Sequence, residues 1–281
     1  MKLLSFTAEG RTSYGAVKDG GVVDLGRRLK PRTLRELLET GGIAEAAAAL
    51  QGAAADFALD AITYAPVIPD PAKIICVGLN YRDHVAEVGR TVTEKPALFA
   101  RFATSQVGHL QPVIRPRVSE HFDYEGELAL VIGRAGRHIR RKDALAHVAG
   151  YACYNEGSVR DWQRHTTQFL AGKTFDRSGA FGPWLVTADE ISDPSKLKLE
   201  TRLNGQTVQS TTTDMMITDV PDLIAYCSTV MTLLPGDVIV TGTPGGVGMK
   251  RTPPLFMKPG DTVEVEISGV GLLRNPVAAE E

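Results

Sequence analysis

Apolar and polar positions along the chain repeat mainly every second residue, in short runs broken by turn residues. In residues 1–65 the runs Leu3–Thr7, Tyr14–Val17 and Val22–Leu25 are separated by Glu9-Gly10 and Gly20-Gly21, which predicts short strands. Leu34, Leu37 and Leu38, then Ala44–Ala49, change to helical spacing, the second as an alanine-rich surface helix. Pro66-Val67-Ile68-Pro69-Asp70-Pro71 carries too much proline for a helix or a central strand and is read as a linker over 66–71. Beyond it, Ile74–Val77, Leu128–Ile132, Val148–Tyr154, Trp184–Val186, Leu197–Leu203, Val238–Thr241 and Val263–Ile267 read as strands. Helical stretches are expected only near 81–88, 156–169 and 220–231. This density of strands, with Pro-Gly-Asp turns at 235–237 and 259–261, predicts a β-dominated α+β body over 72–281 behind a small N-terminal α/β domain at 1–65.

Composition narrows the class without naming a function. The 281 residues are 43% hydrophobic and 23% charged, ordinary for a globular enzyme, and the net charge of −2 gives no reason to expect nucleic acid or an anionic membrane as partner. No run approaches a membrane span, and the N-terminal apolar run is too short for a signal peptide. Cys76, Cys153 and Cys227 are odd in number and far apart, with no C-x-x-C, so neither a disulfide framework nor a zinc knuckle is indicated. A reduced, cytoplasmic protein is expected.

The chemistry concentrates in Asp123-Tyr124-Glu125-Gly126-Glu127, at the mouth of an apolar strand. Period-two alternation puts Glu125 and Glu127 on one face, roughly 6–7 Å apart at Cα. Two carboxylates there repel each other and resist desolvation, and a divalent cation would relieve both; a solvated edge strand is the alternative. A third acid is expected from Glu156, spaced with Arg160 and Gln163 at i, i+4 and i+7 on a helix face. Oxygen-only ligation suits Mg²⁺ or Mn²⁺ over zinc. The alternative is an ordinary Glu–Arg pair on a solvated face.

Three further segments offer supporting groups. His84 and Glu87 lie three apart on a short expected helix, where a carboxylate would fix the imidazole tautomer for a water-activating base; an exposed pair without function is the other reading. Lys173, after a glycine-containing turn, could return its ammonium to a substrate carboxylate or enolate, or lie on the surface. Thr241-Gly242-Thr243-Pro244-Gly245-Gly246 opens a strand into a glycine-rich loop, either a source of N–H groups for an anion or a tight turn. It lacks the G-K-[ST] ending of a phosphate loop, which argues against a nucleotide site.

Taken in order, G-L-N-Y-R-D-H-x-x-E, Y-E-x-E-L-A, G-Y-x-x-x-N-x-x-S-x-R-D-x-Q, G-K-x-F-D, G-P-W and T-G-T-P-x-G-V-G resemble the fumarylacetoacetate hydrolase family over roughly residues 72–278. The resemblance implies a roll or barrel of mixed strands, a homodimer, and a Mg²⁺ or Mn²⁺ centre, with Ca²⁺ an acceptable substitute in crystals. Its metal ligands would be Glu125, Glu127 and Glu156. Most relatives have Asp at position 156, alanine where this chain has Val159, and often lysine where it has Arg101.

The implied reaction is metal-dependent C–C bond hydrolysis of a 1,3-diketo acid of the acylpyruvate or fumarylpyruvate type, as in aromatic compound catabolism. His84 and Glu87 would activate water, and Lys173 and Gln163 would hold the developing charge. Arg101, Arg160, Gly242 and Thr243 would face the substrate, with Arg160 better suited to bracing the acids. Loop 88–95 would act as a lid, shaping the pocket with loop 249–257. An isomerase (2-hydroxyhepta-2,4-diene-1,7-dioate), a decarboxylase of oxaloacetate or a lyase is the alternative, and a catalytically silent small-acid-binding dimer is a third.

Overall fold

The apolar runs are strands covered on both faces. In the strand Gly126–Ile132, Leu128, Leu130 and Ile132 enter one core, while Ala129 and Val131 enter another. Ile75 and Val77 likewise part from Ile74 and Cys76, and Ile239 from Val238 and Val240. Two-sided burial is why these strands read as continuous apolar segments.

The computed structural model describes residues 1–281. Its main sheet runs, edge to edge, Phe57–Ala58, Gly21–Asp24, Arg11–Lys18, Lys2–Ala8, Gly179–Thr187, Val148–Asn155, Gly126–Ile132, Val238–Val240, Ile74–Gly78 and Ala97–Arg101. Neighbours along this path are antiparallel except Val238–Val240 with Ile74–Gly78, which is parallel. A second sheet, Gln206–Thr212, Lys198–Leu203, Thr262–Ile267, Gly271–Ala279 and Val113–Arg115, packs on one face of the first. Leu199, Val263, Val265 and Leu273 meet Leu128, Leu130 and Tyr151 there. The architecture is the expected strand-rich α+β fold with mixed sheets, but the sheets stay open and no barrel closes.

The N-terminal residues form the expected short strands and two helices, Leu34–Glu39 and Ile43–Ala49. These strands extend the main sheet through Lys2–Ala8, which pairs with Gly179–Thr187. The proline-rich 66–71 segment is anchored as well: Val67 and Ile68 are buried, and Ser5 Oγ donates to Val67 O at 2.9 Å.

Strand polarity gathers the chemistry at one rim. Gly126 begins its strand opposite Asn155, which ends the neighbouring one. Val238–Val240 and Ile74–Gly78 both end on the same side, releasing the glycine-rich loop and the Arg82–Glu87 helix there.

Away from that rim, His109 stacks edge-on against Tyr64, with centroids 4.9 Å apart, and its Nδ1 accepts the Arg274 N–H at 3.1 Å. Burial, helped by Arg274, pushes the imidazole down to about 4. The unfolded chain therefore takes up this proton first, so stability is lost as pH falls from about 6.5 towards about 4. His109→Gln retains an acceptor without the charge. It is expected to flatten that loss in denaturant titrations across this pH range; an unchanged slope would contradict the assignment.

Candidate active site

The three glutamates meet. Glu125, Glu127 and Glu156 are buried, and one carboxylate oxygen from each lies within 4.8 Å of the others. Strand parity explains Glu127, which shares the face of Ala129 and Val131. Glu125 sits just before that strand, fixed by its N–H to Asn155 Oδ1 at 3.1 Å and by Glu156 N–H to its own carbonyl at 2.8 Å.

Glu156 arrives by a different route from the expected helix face. The Val148–Asn155 strand ends, the chain turns at Glu156-Gly157, and Ser158–Val159 pairs with Phe122–Asp123. Only Arg160–Gln163 is helical. Pairing continues past Gly157 because the chain passes so close to Ser178 that a Cβ would lie 1.9 Å from its carbonyl oxygen. The longer Glu156 side chain still reaches the triad, and its Oε1 has no hydrogen-bond partner.

Two buried cations oppose the acids. Lys173 Nζ donates to Glu125 Oε2 at 2.5 Å and Glu156 Oε2 at 3.0 Å. Its position depends on Gly172, where a Cβ would lie 2.4 Å from the Gln163 backbone nitrogen. Arg160 donates to Glu125 Oε1 at 2.7 Å, Asp123 Oδ2 at 2.8 Å and Gln163 Oε1 at 3.1 Å. Asp123, fully buried, also accepts the N–H groups of Gly248 at 2.8 Å and Met249 at 3.0 Å.

Burial drives Glu127 well above the usual carboxylate range, reinforced by the charges of Glu156 and Glu125. Burial also opposes ionisation of Glu125, yet Lys173 and Arg160 hold it far below that range. The four acids are ion-paired by only two cations, neither of which reaches Glu127, and this leaves a deficit of positive charge at the triad. An all-oxygen donor set with a free Glu156 oxygen and that deficit fits a hard divalent ion.

His84 is buried and lines the same cavity, its Nδ1 3.4 Å from Glu87 Oε2. Burial disfavours the Glu87 anion, but hydrogen bonds from His84 and from the Gly246 N–H, the latter 3.0 Å long, keep it below its ordinary range. An ionised carboxylate only accepts, so Nδ1 carries the proton and Nε2 is left basic. Asp83 accepts the Gly245 N–H at 3.1 Å, clamping the helix to the glycine-rich loop.

The cavity encloses about 390 Å³, and Gln163, Lys173, Arg160 and Thr243 line it with the three glutamates and His84. Two expected substrate contacts lie elsewhere. Arg101 is buried behind the triad, donating to Gly157 O at 2.9 Å, Ser178 Oγ at 2.6 Å and Ser105 Oγ at 3.2 Å, so its fork braces the Glu156 turn. The Gly242 N–H is spent on Glu127 Oε2. A Cβ on Gly242, at φ +101°, would lie 2.8 Å from Asn80 Cβ. Sequence reasoning gave no role to Asp123, Phe99 or Phe169; Asp123 adjoins the acidic motif, but only three-dimensional pairing reveals its partners.

Residues 73–278 match the fumarylacetoacetate hydrolase C-terminal family model. The chain belongs to the fumarylacetoacetate hydrolase family. It is 44% identical over 264 residues to the rat (Rattus norvegicus) mitochondrial oxaloacetate tautomerase Fahd2a, spanning 92% of this chain and 84% of the relative. Among solved structures, a fumarylacetoacetate hydrolase from Exiguobacterium antarcticum superposes with TM-score 0.83 at 36% identity, covering both chains fully. Maleylpyruvate hydrolase from Sphingobium, in complex with manganese(II) ion and pyruvate, gives TM-score 0.83 at 30% identity, again over the whole of both chains.

Two substitutions test the geometry. Glu127→Gln keeps an acceptor for Gly242 and removes one of three clustered charges. The metal-free variant is expected to melt at or above the wild-type temperature while losing the Mn²⁺-dependent rise in melting temperature. A rise equal to wild type would break the ligand assignment. Gly157→Ala forces the Glu156 turn away from Ser178, and Mn²⁺ affinity measured by calorimetry should fall at least about tenfold; wild-type affinity would show that the turn is not a positioning element.

Proposed function

We propose that this protein is a divalent-metal-dependent enzyme that interconverts the keto and enol forms of a short 2-oxo dicarboxylic acid of the oxaloacetate type. The buried carboxylate triad, with its free Glu156 oxygen and adjacent Lys173, carries the reading. The rat and human relatives, both named oxaloacetate tautomerases, add support across 92% of the chain.

A dication held by Glu125, Glu127 and Glu156 would supply Lewis acidity to the 2-oxo group and stabilise enolate charge. His84 Nε2 takes a proton from the carbon next to that group, and the resulting imidazolium delivers it to the enolate oxygen to give the enol. The reverse reaction moves the proton from that oxygen back to carbon. Glu87 fixes the imidazole tautomer. Lys173 stays charged despite burial because Glu125 and Glu156 flank it. Two of its three N–H bonds engage those acids, leaving one for the enolate oxygen. Arg160 holds Glu125 in place, with an unpartnered Nη2 for a substrate oxygen.

The His84–Glu87 pair also favours a second reading, C–C hydrolysis of an acylpyruvate, because the same Nε2 could deprotonate water. The neighbour that bears pyruvate and manganese is named a hydrolase, in keeping with it. Both reactions begin from one enolate-stabilising centre.

With Mn²⁺ or Mg²⁺, the protein should accelerate decay of the enol absorbance of oxaloacetate, and chelation should abolish this. His84→Ala should lower the rate by about two orders of magnitude or more while leaving Mn²⁺ affinity near wild type. Acetylpyruvate cleavage with no effect on oxaloacetate would replace the tautomerase reading with the hydrolase. Inertness towards both, with metal bound, would leave a small-acid-binding protein.

A further inference from the structure

The cavity, about 390 Å³, is lined by the buried triad and also by two exposed arginines whose charge no acid balances. Four cationic side chains line it: Arg90, Arg160, Arg164 and Lys173. Arg160 and Lys173 are committed to Asp123, Glu125 and Glu156. Arg90 and Arg164 form no ion pair, and the only side-chain contact of Arg164 is a weak one from Nη2 to Met249 Sδ at 3.8 Å. The triad glutamates are the only acids in the lining. Thr166 and Thr167 add hydroxyls beside Arg164, while Phe99, Phe169 and Val88 supply apolar wall.

The two arginines come from different segments. Arg90 follows the helix that carries His84, and Arg164 follows the helix that carries Arg160 and Gln163. Both follow closely on the helices that carry His84 and Arg160, and both are exposed and unpaired by any acid. A guanidinium matches a carboxylate in a planar, two-point geometry that a hydroxyl or a methyl cannot reproduce.

We infer that Arg164, assisted by Arg90, is the specificity determinant that captures the distal carboxylate of a dicarboxylic substrate. This rests on the reading above that the 2-oxo acid end sits at the triad. One carboxylate then faces the metal centre and the other faces the two arginines. A monocarboxylic 2-oxo acid occupies the inner end and leaves the outer charge unmatched.

The test uses the full-length Mn²⁺-loaded protein and two probes that share the 2-oxo acid end: pyruvate, and difluoro-oxaloacetate, which adds a distal carboxylate and two fluorines and cannot enolise. Calorimetry on the wild type should show the diacid binding at least about tenfold tighter, as a charge-assisted pair implies. Arg164→Gln combined with Arg90→Gln should reduce that preference to about twofold or less, with pyruvate affinity within about twofold of wild type. Arg164→Lys should restore only part of it. The preference should also shrink as salt is raised.

Equal affinities in the wild type, or a preference that survives the double substitution, would overturn the arginine assignment alone. If Mn²⁺ binds but neither acid does, the placement of a 2-oxo acid at the triad falls first, and this inference falls with it.

Discussion

Everything at this rim follows from burying acidic side chains against too few cations. Glu125, Glu127, Glu156 and Asp123 are withdrawn from water at the ends of the central strands. Only Arg160 and Lys173 form ion pairs with them. Such a group is unfavourable unless something else supplies positive charge. The imbalance is therefore a built-in affinity for a dication, and the fold supports it with rigid parts. Glu127 stands on a strand covered on both faces, and Glu156 is held by a turn that glycine allows and Arg101 braces.

The same economy of polar contacts joins the acidic cluster to the His84–Glu87 pair. Glu87 faces His84 with one oxygen and accepts the Gly246 N–H with the other. Asp123 bridges Arg160 to the Gly248–Met249 backbone. Each carboxylate ties a cavity side chain, His84 or Arg160, to the glycine-rich loop, so the loop and these groups hold position together. That loop does not bind an anion with a free nest of N–H groups. Its amides at Gly242, Gly245, Gly246 and Gly248 are taken up by the protein's own acids.

Much of this was legible in the sequence because strand alternation is local. Glu125 and Glu127 share a parity with Ala129, and that parity survives folding. The Glu–x–x–x–Arg–x–x–Gln spacing was misleading as a helix, yet it still named three residues that meet. The three line one cavity because the chain turns at Glu156-Gly157 and Ser158 pairs with Asp123 before the short helix begins, not because they share one helix face. Arg101 was expected at the substrate from the resemblance, which aligns a position along the chain but says nothing about which side of a sheet a guanidinium enters. Arg90 was expected only as part of the pocket-shaping loop 88–95 and Arg164 not at all, since an arginine without a partner is recognisable only when its surroundings are known.

The family match begins at residue 73, whereas the hydrogen-bonded sheet begins at residue 2. Similarity and cohesion thus divide the molecule at different places. Leu3 and Tyr14 pack with Leu185 and Phe181 in one core, so removing the first 65 residues would strip an edge from Gly179–Thr187 and wet its apolar side chains. That strand also pairs with Val148–Asn155, whose end carries the chain to Glu156. A chimera exchanging amino-terminal segments between relatives would alter the scaffold of Glu156 through two strands, without touching any residue of the pocket.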